Sequence, residues 1–210
     1  MLKIFEVSSD YIDYLHIFEK NILYNKDDGI QKKRKYIGIV LQINGYNYLV
    51  PLSSPKASDY LLIDGRTAIR PSIVPIMRIT ENSASGKKLI GTLKFSNMIP
   101  VPDCSLIPYD LASEPDKKYK TLLTKQLIFI RHNQNHIYRN ARTIYKQKKD
   151  KKDIAYIKNT VDFTTLEKKC KVYIEMTRCK VYPMSRTHTF LFLVIFYRWL
   201  SVLSTGISLF

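Results

Sequence analysis

The sequence predicts an α+β fold, an antiparallel sheet flanked by helices, from three observations. Asn44-Gly45 separates the apolar runs "YIGIVLQI" and "YNYLVPL", and this dipeptide is typical of a hairpin turn because both of its residues accept positive φ. The runs "SIVPIMRI" and "KLIGTLKF" flank the polar loop "TENSASGK", which predicts a second hairpin. From residue 119 to about 149, apolar residues recur with a helical period and predict a long helix.

Shorter elements are predicted on either side of the hairpins. "LKIFEV" is typical of a strand, and residues 8–10, "SSD", offer N-caps for a helix whose apolar face covers residues 11–22. "NMIPVP" is extended, and its prolines favour an edge or crossing strand. Thr164 and Glu167 have the spacing of a capping box, so a further helix is expected to begin at Thr164 and end near Cys170.

The long predicted helix carries two different stripes. Its apolar stripe consists of Leu123, Leu127, Ile130, Ile137, Ala141 and Ile144, and its basic stripe of Lys118, Lys125, His132, Arg139 and Lys146. Residues 117–152 hold 12 Lys or Arg and a single acid. A solvated helix face usually mixes the two signs through i,i+4 pairs. The one-sided charge therefore predicts contact with a phosphate backbone, which supplies the missing anions.

The overall charge balance points to the same class of partner. The 210 residues include 34 Lys plus Arg against 18 Asp plus Glu, a formal net charge of +16. Such an excess indicates a polyanionic partner, either nucleic acid or an anionic membrane. The 15 tyrosines favour RNA, because a tyrosine ring stacks on unpaired bases and its hydroxyl forms hydrogen bonds.

The cellular compartment is predicted from cysteine usage and from the first residues. Three cysteines without a CxxC pair argue against a disulfide framework and for a reducing cytoplasm. "MLKIFEVSSD" lacks the long apolar segment of a signal peptide. His132 and His136 have i,i+4 spacing, but no HExxH pattern or acid cluster accompanies them, so a solvated face is favoured over a metal site.

The chemistry that the residue types support is metal-free. No Walker loop, GxSxG elbow or paired-carboxylate pattern occurs, and the scarcity of acids argues against a two-metal phosphate site. A protein that cuts RNA does not need these groups, because the 2′-OH beside the scissile phosphate can attack in line. The protein then orients the backbone, stabilises oxyanion charge and assists proton transfer. Hydroxyls and cations suffice for that, without metal or cofactor.

Such groups follow the second strand of the Asn-Gly hairpin, in the stretch "YLVPLSSPK". Ser53, Ser54 and Lys56 come directly after the apolar run, and the basic residues 32–35 precede the partner strand. The sequence therefore predicts a phosphate or nucleophile site here. The alternative is an ordinary turn, because Ser, Pro and Lys are common turn residues.

The hairpin itself predicts how close these two segments lie. Antiparallel pairing around Asn44-Gly45 sets Arg34 or Lys35 roughly opposite Ser54 or Pro55. A cation on one strand is thus expected beside a hydroxyl on the next.

Several blocks of the sequence resemble the ToxN/AbiQ family, the toxins of type III toxin–antitoxin systems, and among them the CptN-like members. The blocks are "SSDYIDYL", "KYIGIVLQINGYNYLVPLSSPK", "LKFSNMIPVP", "YKTLLTKQLIFIRHN" and "DFTTLEKKC". They occur in family order from residue 1 to about 175. The most specific block is "IGIVLxxxGxxYLxPLSSPK".

The resemblance implies a compact, highly twisted antiparallel sheet with a barrel core similar to the Kid/MazF-like toxins. It implies a metal-independent endoribonuclease that leaves 2′,3′-cyclic phosphate and 5′-hydroxyl ends on mRNA and on its own antitoxin precursor. The implied partner is a pseudoknotted antitoxin RNA, cut from tandem repeats, that closes several toxin copies into a protein–RNA ring. The implied role is phage abortive infection or growth arrest, and DNA is not an expected partner.

The resemblance also assigns catalytic roles, to Ser54, Ser53, Lys56, Arg34 and Tyr11. Some family members have lysine where this chain has Arg34, and arginine keeps the charge but is a poor general acid. Lys33 or Lys35 then becomes a rival proton donor. Tyr11, which is expected to orient a base or take part in proton transfer, has a core position on the first helix as its alternative.

A second set of residues is expected to bind RNA: Lys33, Lys35, Lys118, Lys125, Gln126, Arg131, Arg139 and Lys146. Gln126 and Arg131 belong to the block "KQLIFIR", which matches a family helix expected beside the RNA. A satisfied polar residue between helix and sheet is the alternative for Gln126.

The chain is expected to divide into a toxin domain, residues 1–175, and an atypical hydrophobic tail, residues 176–210. The tail segment "TFLFLVIFYRWLSVLSTGISLF" is long enough to cross a bilayer, although Arg198 near its middle costs about 2.5 to 3.5 kcal/mol there. A membrane anchor, a buried pair of strands and a segment foreign to the family are the three interpretations. The third is favoured because an RNA-cutting domain needs no anchor.

Two other functions compete with that of an RNA-cutting toxin. A non-catalytic basic RNA-binding protein uses the same helix without cleaving RNA. A membrane-attached basic protein depends on the tail and the polybasic helix alone.

Overall fold

The computed structural model describes residues 2–25, 34–84 and 86–177. Lys33 and residues 178–210 of the predicted tail lie outside this part of the chain. The strands are β1 (Lys3–Val7), β2 (Tyr36–Ile43), β3 (Tyr46–Ser53), β4 (Tyr60–Ile63), β5 (Arg66–Ile69), β6 (Ile76–Ser83), β7 (Gly86–Lys94), β8 (Ile99–Pro100) and β9 (Leu106–Pro108). The helices are α1 (Ser9–His16), α2 (Lys117–His132), α3 (Gln134–Lys149), α4 (Ala155–Lys158) and α5 (Phe163–Met176).

Seven of these strands form one antiparallel sheet, which confirms the predicted fold class. The strand order is β6-β7-β3-β2-β1-β9, with β8 paired to β3, and β4 and β5 form a separate ribbon. The expectation of a barrel core is wrong. β6 and β9 lie at opposite ends of the strand order and do not pair within the described residues, whereas a barrel requires its end strands to meet.

The Asn-Gly hairpin is confirmed, but its register differs from the simple expectation. Asn44 and Gly45 have φ values of 51° and 78°, as a two-residue turn of this hand requires. Ile43 lies opposite Tyr46, but beyond an irregularity between Ile37 and Leu41 the pairing changes. Tyr36 then lies opposite Pro51, a shift of two residues.

This shift changes which residues meet at the end of the hairpin. The Leu52 amide donates to the Lys35 carbonyl at 2.9 Å, so Arg34 lies opposite Ser53. The predicted pairing of Arg34 or Lys35 with Ser54 or Pro55 is therefore wrong by two positions. The cause is the bulge in β2, whose extra residues are not visible in a count outward from the turn.

The second hairpin is also confirmed, with longer strands than expected. β6 and β7 pair from Ile76 opposite Lys94 to Ser83 opposite Gly86. Most of the predicted loop "TENSASGK" is therefore strand, and Gly86 has a φ of 110° at the turn.

The long predicted helix is two helices, α2 and α3. All six residues of the apolar stripe are buried, so the face was predicted correctly. The break lies at Asn133, whose φ and ψ are −107° and 15°. Its side-chain amide donates to the Phe129 carbonyl at 2.8 Å and competes with the backbone for that acceptor.

The last described helix begins and ends elsewhere than predicted. Asp162 caps α5, because its carboxylate accepts from the amides of Thr164 and Thr165. The capping box of Thr164 and Glu167 is therefore wrong, and α5 continues past Cys170. α1 is shorter than expected and ends at His16. Among the described residues, no helix combines the length and the apolar composition that crossing a bilayer requires.

Glu167 links the sheet to two helices. Its Oε1 accepts hydrogen bonds from the Tyr48 hydroxyl at 2.8 Å and from the Tyr145 hydroxyl at 2.7 Å. All three side chains are buried. Burial, with Glu167 adding to it, raises the pKa of Tyr48 above its ordinary range. Both phenols therefore donate to this carboxylate, which joins β3, α3 and α5.

Glu167→Ala is expected to lower the free energy of unfolding by about 3 kcal/mol, because two buried hydroxyls lose their shared acceptor. Urea unfolding followed by circular dichroism measures the change. Glu175→Ala removes an exposed carboxylate from the same helix and is expected to shift the midpoint little. Equal midpoints for the two variants contradict the assigned role of Glu167.

Candidate active site

The candidate site lies where β3 ends. Ser53 is the last residue of the strand and is partly buried, whereas Ser54, Pro55 and Lys56 are exposed. We call residues 53–56 the β3 corner. Two hydroxyls and an ammonium are thus presented together at the surface, as the sequence predicted.

A buried ion pair on the interior side of the β3 corner stabilises its conformation. Asp59 Oδ2 accepts from the Lys56 amide at 3.0 Å, and the Asp59 amide donates to the Lys56 carbonyl at 2.9 Å. Asp59 Oδ1 lies 3.0 Å from Arg78 Nη2, and both side chains are more than nine-tenths buried. The Asp59 charge is therefore already matched. No sequence motif marks Asp59 or Arg78, because β6 brings Arg78 to the corner from a distance in the chain.

Arg34 and Ser53 are brought together. Arg34 Nη1 donates to Ser53 Oγ at 3.1 Å and to the Leu52 carbonyl at 3.2 Å, and Arg34 Nε donates to the Tyr24 carbonyl at 3.0 Å. Burial lowers the pKa of Arg34 from its ordinary value, although an arginine remains charged in proteins. The guanidinium is thus oriented before any ligand arrives, and Ser53 Oγ keeps its own proton for donation.

Lys94 is a further cation of the site that the sequence did not single out. Ser53 lies opposite Thr92 in the β3–β7 pairing, so alternation puts Ser53, Thr92 and Lys94 on one face. Burial lowers the pKa of Lys94, and the charges of Lys56 and Arg34 lower it further, while Asp59 raises it. Lys94 therefore shares one electrostatic environment with the corner. We call Arg34, Ser53, Ser54, Lys56 and Lys94 the cationic corner.

Two other predicted site residues lie elsewhere. Lys35 is 6% exposed, forms an ion pair with Glu6 and sits 4.1 Å from the centre of the Tyr109 ring. Tyr11 is fully buried, and its hydroxyl donates to the Pro100 carbonyl at 2.6 Å. Burial raises the pKa of Tyr11 well above its ordinary value. The structure thus places Tyr11 in the core, the alternative position that the sequence left open.

Gln126 also occupies its alternative position, between helix and sheet. It is 3% exposed, and its Nε2 donates to the Ile90 carbonyl at 2.6 Å. The absence of a side chain at Gly91 makes room for it, since a Cβ there would lie 2.5 Å from Gln126 Nε2. Gln126 therefore ties α2 to β7 and does not reach the surface.

The remaining basic residues predicted to bind RNA are exposed on α2 and α3, namely Lys118, Lys125, Arg131, Arg139 and Lys146. Lys125 Nζ lies 2.6 Å from a carboxylate oxygen of Glu81. No other member of this set forms an ion pair within the described ranges. The break at Asn133 divides the expected stripe, so the cations stand on two helices.

An aromatic pair, of which one ring is exposed, lies beside Arg34 and was not predicted. The rings of His16 and Tyr24 stack with centroids 3.5 Å apart and planes 10° from parallel. Tyr24 is 57% exposed, and its carbonyl accepts from Arg34. A flat apolar surface therefore adjoins the cationic corner.

The model of the family described as "Toxin ToxN, type III toxin-antitoxin system" matches residues 3–171. This match includes the whole cationic corner and helices α1 to α5 up to Lys171. The chain belongs to the ToxN toxin family.

Two curated relatives support the assignment. Endoribonuclease ToxN of Bacillus thuringiensis subsp. kurstaki is 30% identical over 185 residues, which cover 85% of this chain and 87% of that protein. Endoribonuclease AbiQ of Lactococcus lactis subsp. lactis is 33% identical over 172 residues, which cover 82% of this chain and 89% of that protein. Each alignment spans most of both proteins.

Solved structures of the family resemble this chain closely. A structure of AbiQ, described as a lactococcal anti-phage endoribonuclease of a type III toxin–antitoxin system, matches at 30% identity with a TM-score of 0.68. The match covers 83% of this chain and 99% of AbiQ. A second structure, concerned with a processed non-coding RNA that regulates a bacterial antiviral system, matches at 30% identity with a TM-score of 0.67 and covers 80% and 97% of the two chains.

In this ToxN-family chain, Asp59→Ala is expected to lower the free energy of unfolding by about 3 kcal/mol, because it leaves the Arg78 guanidinium buried without its counter-ion. Thermal or urea unfolding measures the loss. Asp59→Ala/Arg78→Leu removes both charges and is expected to recover part of it. Asp13→Ala, an exposed change on α1, is the matched control, and a loss no larger than that control refutes the role of the ion pair.

Proposed function

We propose that this chain is a metal-independent endoribonuclease that cuts RNA by attack of the 2′-OH on the adjacent phosphate, leaving 2′,3′-cyclic phosphate and 5′-hydroxyl ends. The observation that carries the proposal is the Arg34 Nη1 to Ser53 Oγ hydrogen bond of 3.1 Å beside the exposed Ser54 hydroxyl. It holds a cation against one hydroxyl, with a second hydroxyl next to it in the chain, at a surface where family membership makes RNA the relevant polyanion.

The mechanism uses these groups to bind the phosphate and to stabilise the charge that develops on it. The Arg34 guanidinium and the Lys56 ammonium neutralise the extra negative charge on the non-bridging oxygens in the transition state. The Ser54 hydroxyl donates a hydrogen bond to one of these oxygens. Ser53 accepts from Arg34, so its own proton is available for a second oxygen. Holding the phosphate in this way also favours the in-line geometry of attack.

The side chains at the cationic corner support metal-free chemistry by their type. Magnesium and similar ions prefer carboxylate oxygens, and the acid beside the corner, Asp59, is committed to Arg78 and to the Lys56 amide. Among the described residues, no group of three or more His, Cys, Asp or Glu side chains could hold a metal. Charge stabilisation therefore comes from side-chain cations and hydroxyls.

The partner we propose is a small pseudoknotted RNA that acts as the antitoxin. One structure related to this chain concerns selective toxin inhibition by a non-coding RNA pseudoknot in type III systems. In this chain the exposed cations on α2 and α3 are available to bind the phosphates of such an RNA. The RNA is proposed to be cut from tandem repeats by the toxin itself and to close several toxin copies into a ring.

The biological setting completes the proposal. The substrates are cellular mRNAs, the compartment is the cytoplasm, and the outcome of release from the antitoxin is growth arrest or abortive phage infection. We propose residues 1–175 as the complete toxin domain, so a chain truncated after residue 176 is expected to fold and cut RNA. A membrane role is restricted to residues 176–210 and requires that they belong to the native protein.

A non-catalytic RNA-binding protein is the second candidate, and the exposed cations on α2 and α3 favour it equally. The two candidates differ in their products. RNA incubated with the purified protein gains new 5′-hydroxyl and 2′,3′-cyclic ends only if the protein cuts it. Binding without new ends identifies the second candidate.

Ser54→Ala is expected to abolish growth arrest in the absence of the antitoxin and to lower the cleavage rate by about 100-fold or more, the usual effect of removing one oxyanion donor. Cleavage of a mapped RNA site in EDTA measures the rate and should proceed unchanged for the wild-type protein. Ser58→Ala, an exposed serine just past the β3 corner, is the matched control. Growth arrest by Ser54→Ala equal to wild type contradicts the assignment, as does cleavage at a site that carries a single 2′-deoxyribose.

Arg139→Ala/Lys146→Ala is expected to weaken binding of the antitoxin RNA and to reduce the slope of log K against log salt by about 1.5, because each lost phosphate contact removes about 0.7 to 0.9. Filter binding at several salt concentrations measures the slope. Arg139→Lys/Lys146→Arg keeps both charges and is expected to keep the slope. A slope unchanged by the alanine pair places the RNA on another surface.

A further inference from the structure

We propose that Lys94 donates the proton to the 5′-oxygen that leaves when the RNA chain breaks, an inference that rests on the proposed endoribonuclease function. The proton donor is the part of the reaction that Ser53, Ser54 and Arg34 do not supply. Three observations support this role for Lys94. It lies at the right position on the sheet, the other described cations near the site already have partners or other roles, and its electrostatic surroundings favour loss of a proton.

The position of Lys94 follows from the pairing of three strands. On β7, Lys94 lies two residues beyond Thr92, which faces Ser53 of β3. The residue between them, Leu93, is fully buried and points to the opposite face. On its other side Lys94 lies opposite the apolar Ile76 of β6. Lys94 is therefore on the same face of the sheet as Ser53, close enough to Lys56 and Arg34 for their charges to act on it.

Of the other described cations near the site, Lys56 is assigned to the non-bridging oxygens in the proposed mechanism, and the remaining three are unsuited to proton donation or already engaged. Arg34 does not titrate in a useful range, and it is held by Ser53 and two carbonyls. Lys35 is buried against Glu6 and Tyr109. Arg78 is paired with Asp59. In the described parts of the chain the Lys94 side chain forms no hydrogen bond or ion pair, so its ammonium proton is free to be donated.

The surroundings make this ammonium a better acid than a lysine in water. Lys94 is partly buried, and burial disfavours its charged form. The positive charges of Lys56 and Arg34 act in the same direction, and Asp59 opposes them, though its carboxylate is shared with Arg78. The pKa of Lys94 is accordingly lowered, which brings it nearer to the range in which general acids work well.

The proposed step conserves atoms and electrons. The O2′–P bond forms, the P–O5′ bond breaks, and the electron pair of the broken bond leaves with O5′. The Lys94 ammonium transfers its proton to O5′, which gives the 5′-hydroxyl product. The 2′-OH proton passes to a water molecule, and the neutral Lys94 amine regains a proton from solvent. Arg34 and Lys56 remain charged throughout.

The test compares two versions of one substrate. A short RNA spanning a cut site mapped with the wild-type protein is made with either oxygen or sulfur at the bridging 5′ position. A thiolate leaves without protonation, so it does not need a general acid. Lys94→Met is expected to lower kcat/KM on the oxygen substrate by about 100- to 10,000-fold, the range for loss of a general acid. On the sulfur substrate, the same variant is expected to lose at most about tenfold in kcat/KM.

The pH profile provides a second measurement. A general acid must carry its proton, so wild-type kcat/KM is expected to fall at alkaline pH as Lys94 deprotonates. Lys94→Arg keeps the positive charge without titrating in this range. This variant is expected to cleave the oxygen substrate slowly, and its kcat/KM is expected not to fall at alkaline pH. Lys87→Met, at the exposed far end of the same strand, is the control and should behave as wild type.

Folding and binding are checked on the same variants. Lys94→Met should bind the mapped RNA carrying a 2′-deoxyribose at the cut site within a few-fold of wild type. If wild-type protein cleaves RNA but Lys94→Met loses as much on the sulfur as on the oxygen substrate, or loses nothing on either, the role of Lys94 is refuted and the endoribonuclease function stands. If wild-type protein cleaves neither substrate, the proposed function itself fails.

Discussion

The pairing of β3 on both of its edges is the constraint on which the structure depends. β2 pairs along one edge, while β8 and then β7 pair along the other. Residues 48–52 of the strand are all buried. A strand held on two sides cannot slip by one residue without moving its apolar side chains to the wrong face. This pairing therefore fixes the position of Ser53, the last residue of β3, and of Ser54 directly after it.

The distribution of acids explains how a chain with a formal net charge of +16 keeps a cationic site. Asp59 is buried with Arg78, and Glu6 is paired with the buried Lys35. These two acids neutralise cations inside the fold, so they do not offset the charge of the exposed cations at the surface. Like charges held close together repel, and a bound phosphate relieves that repulsion. In the proposed function, the same arrangement favours RNA binding and stabilises a transition state whose negative charge has increased.

Much of the fold was predictable because local chemistry encodes it. The Asn44-Gly45 turn, the second hairpin and the buried face of α2 and α3 all follow from residues a few positions apart. The errors arose where one or two residues interrupt the regular repeat. The bulge in β2 moved Arg34 from Pro55 to Ser53, and the side chain of Asn133 divided one expected helix into two.

Only the exposed residues of the candidate site could be predicted from the sequence. The block around Ser53, Ser54 and Lys56 was recognised from sequence, and Arg34 was expected nearby because a tight turn joins the two strands. The burial of Tyr11 and Lys35, to which the sequence assigned functional roles, could not be predicted, because the burial of a single side chain depends on which element covers it.

The sequence by itself determined the residue types at the β3 corner, the excess of positive charge and the Asn44-Gly45 hairpin that brings the two segments of the site together. Only the tertiary structure decided that Lys94 stands beside them, that Asp59 is matched by Arg78, and that Gln126 lies beneath Gly91. The physical reason is the separation along the chain over which each interaction acts. Turn chemistry and periodicity act between neighbours in the chain, whereas the pairing of β7 with β3 joins residues about forty positions apart, and no local pattern records which side chains that pairing will bring into contact.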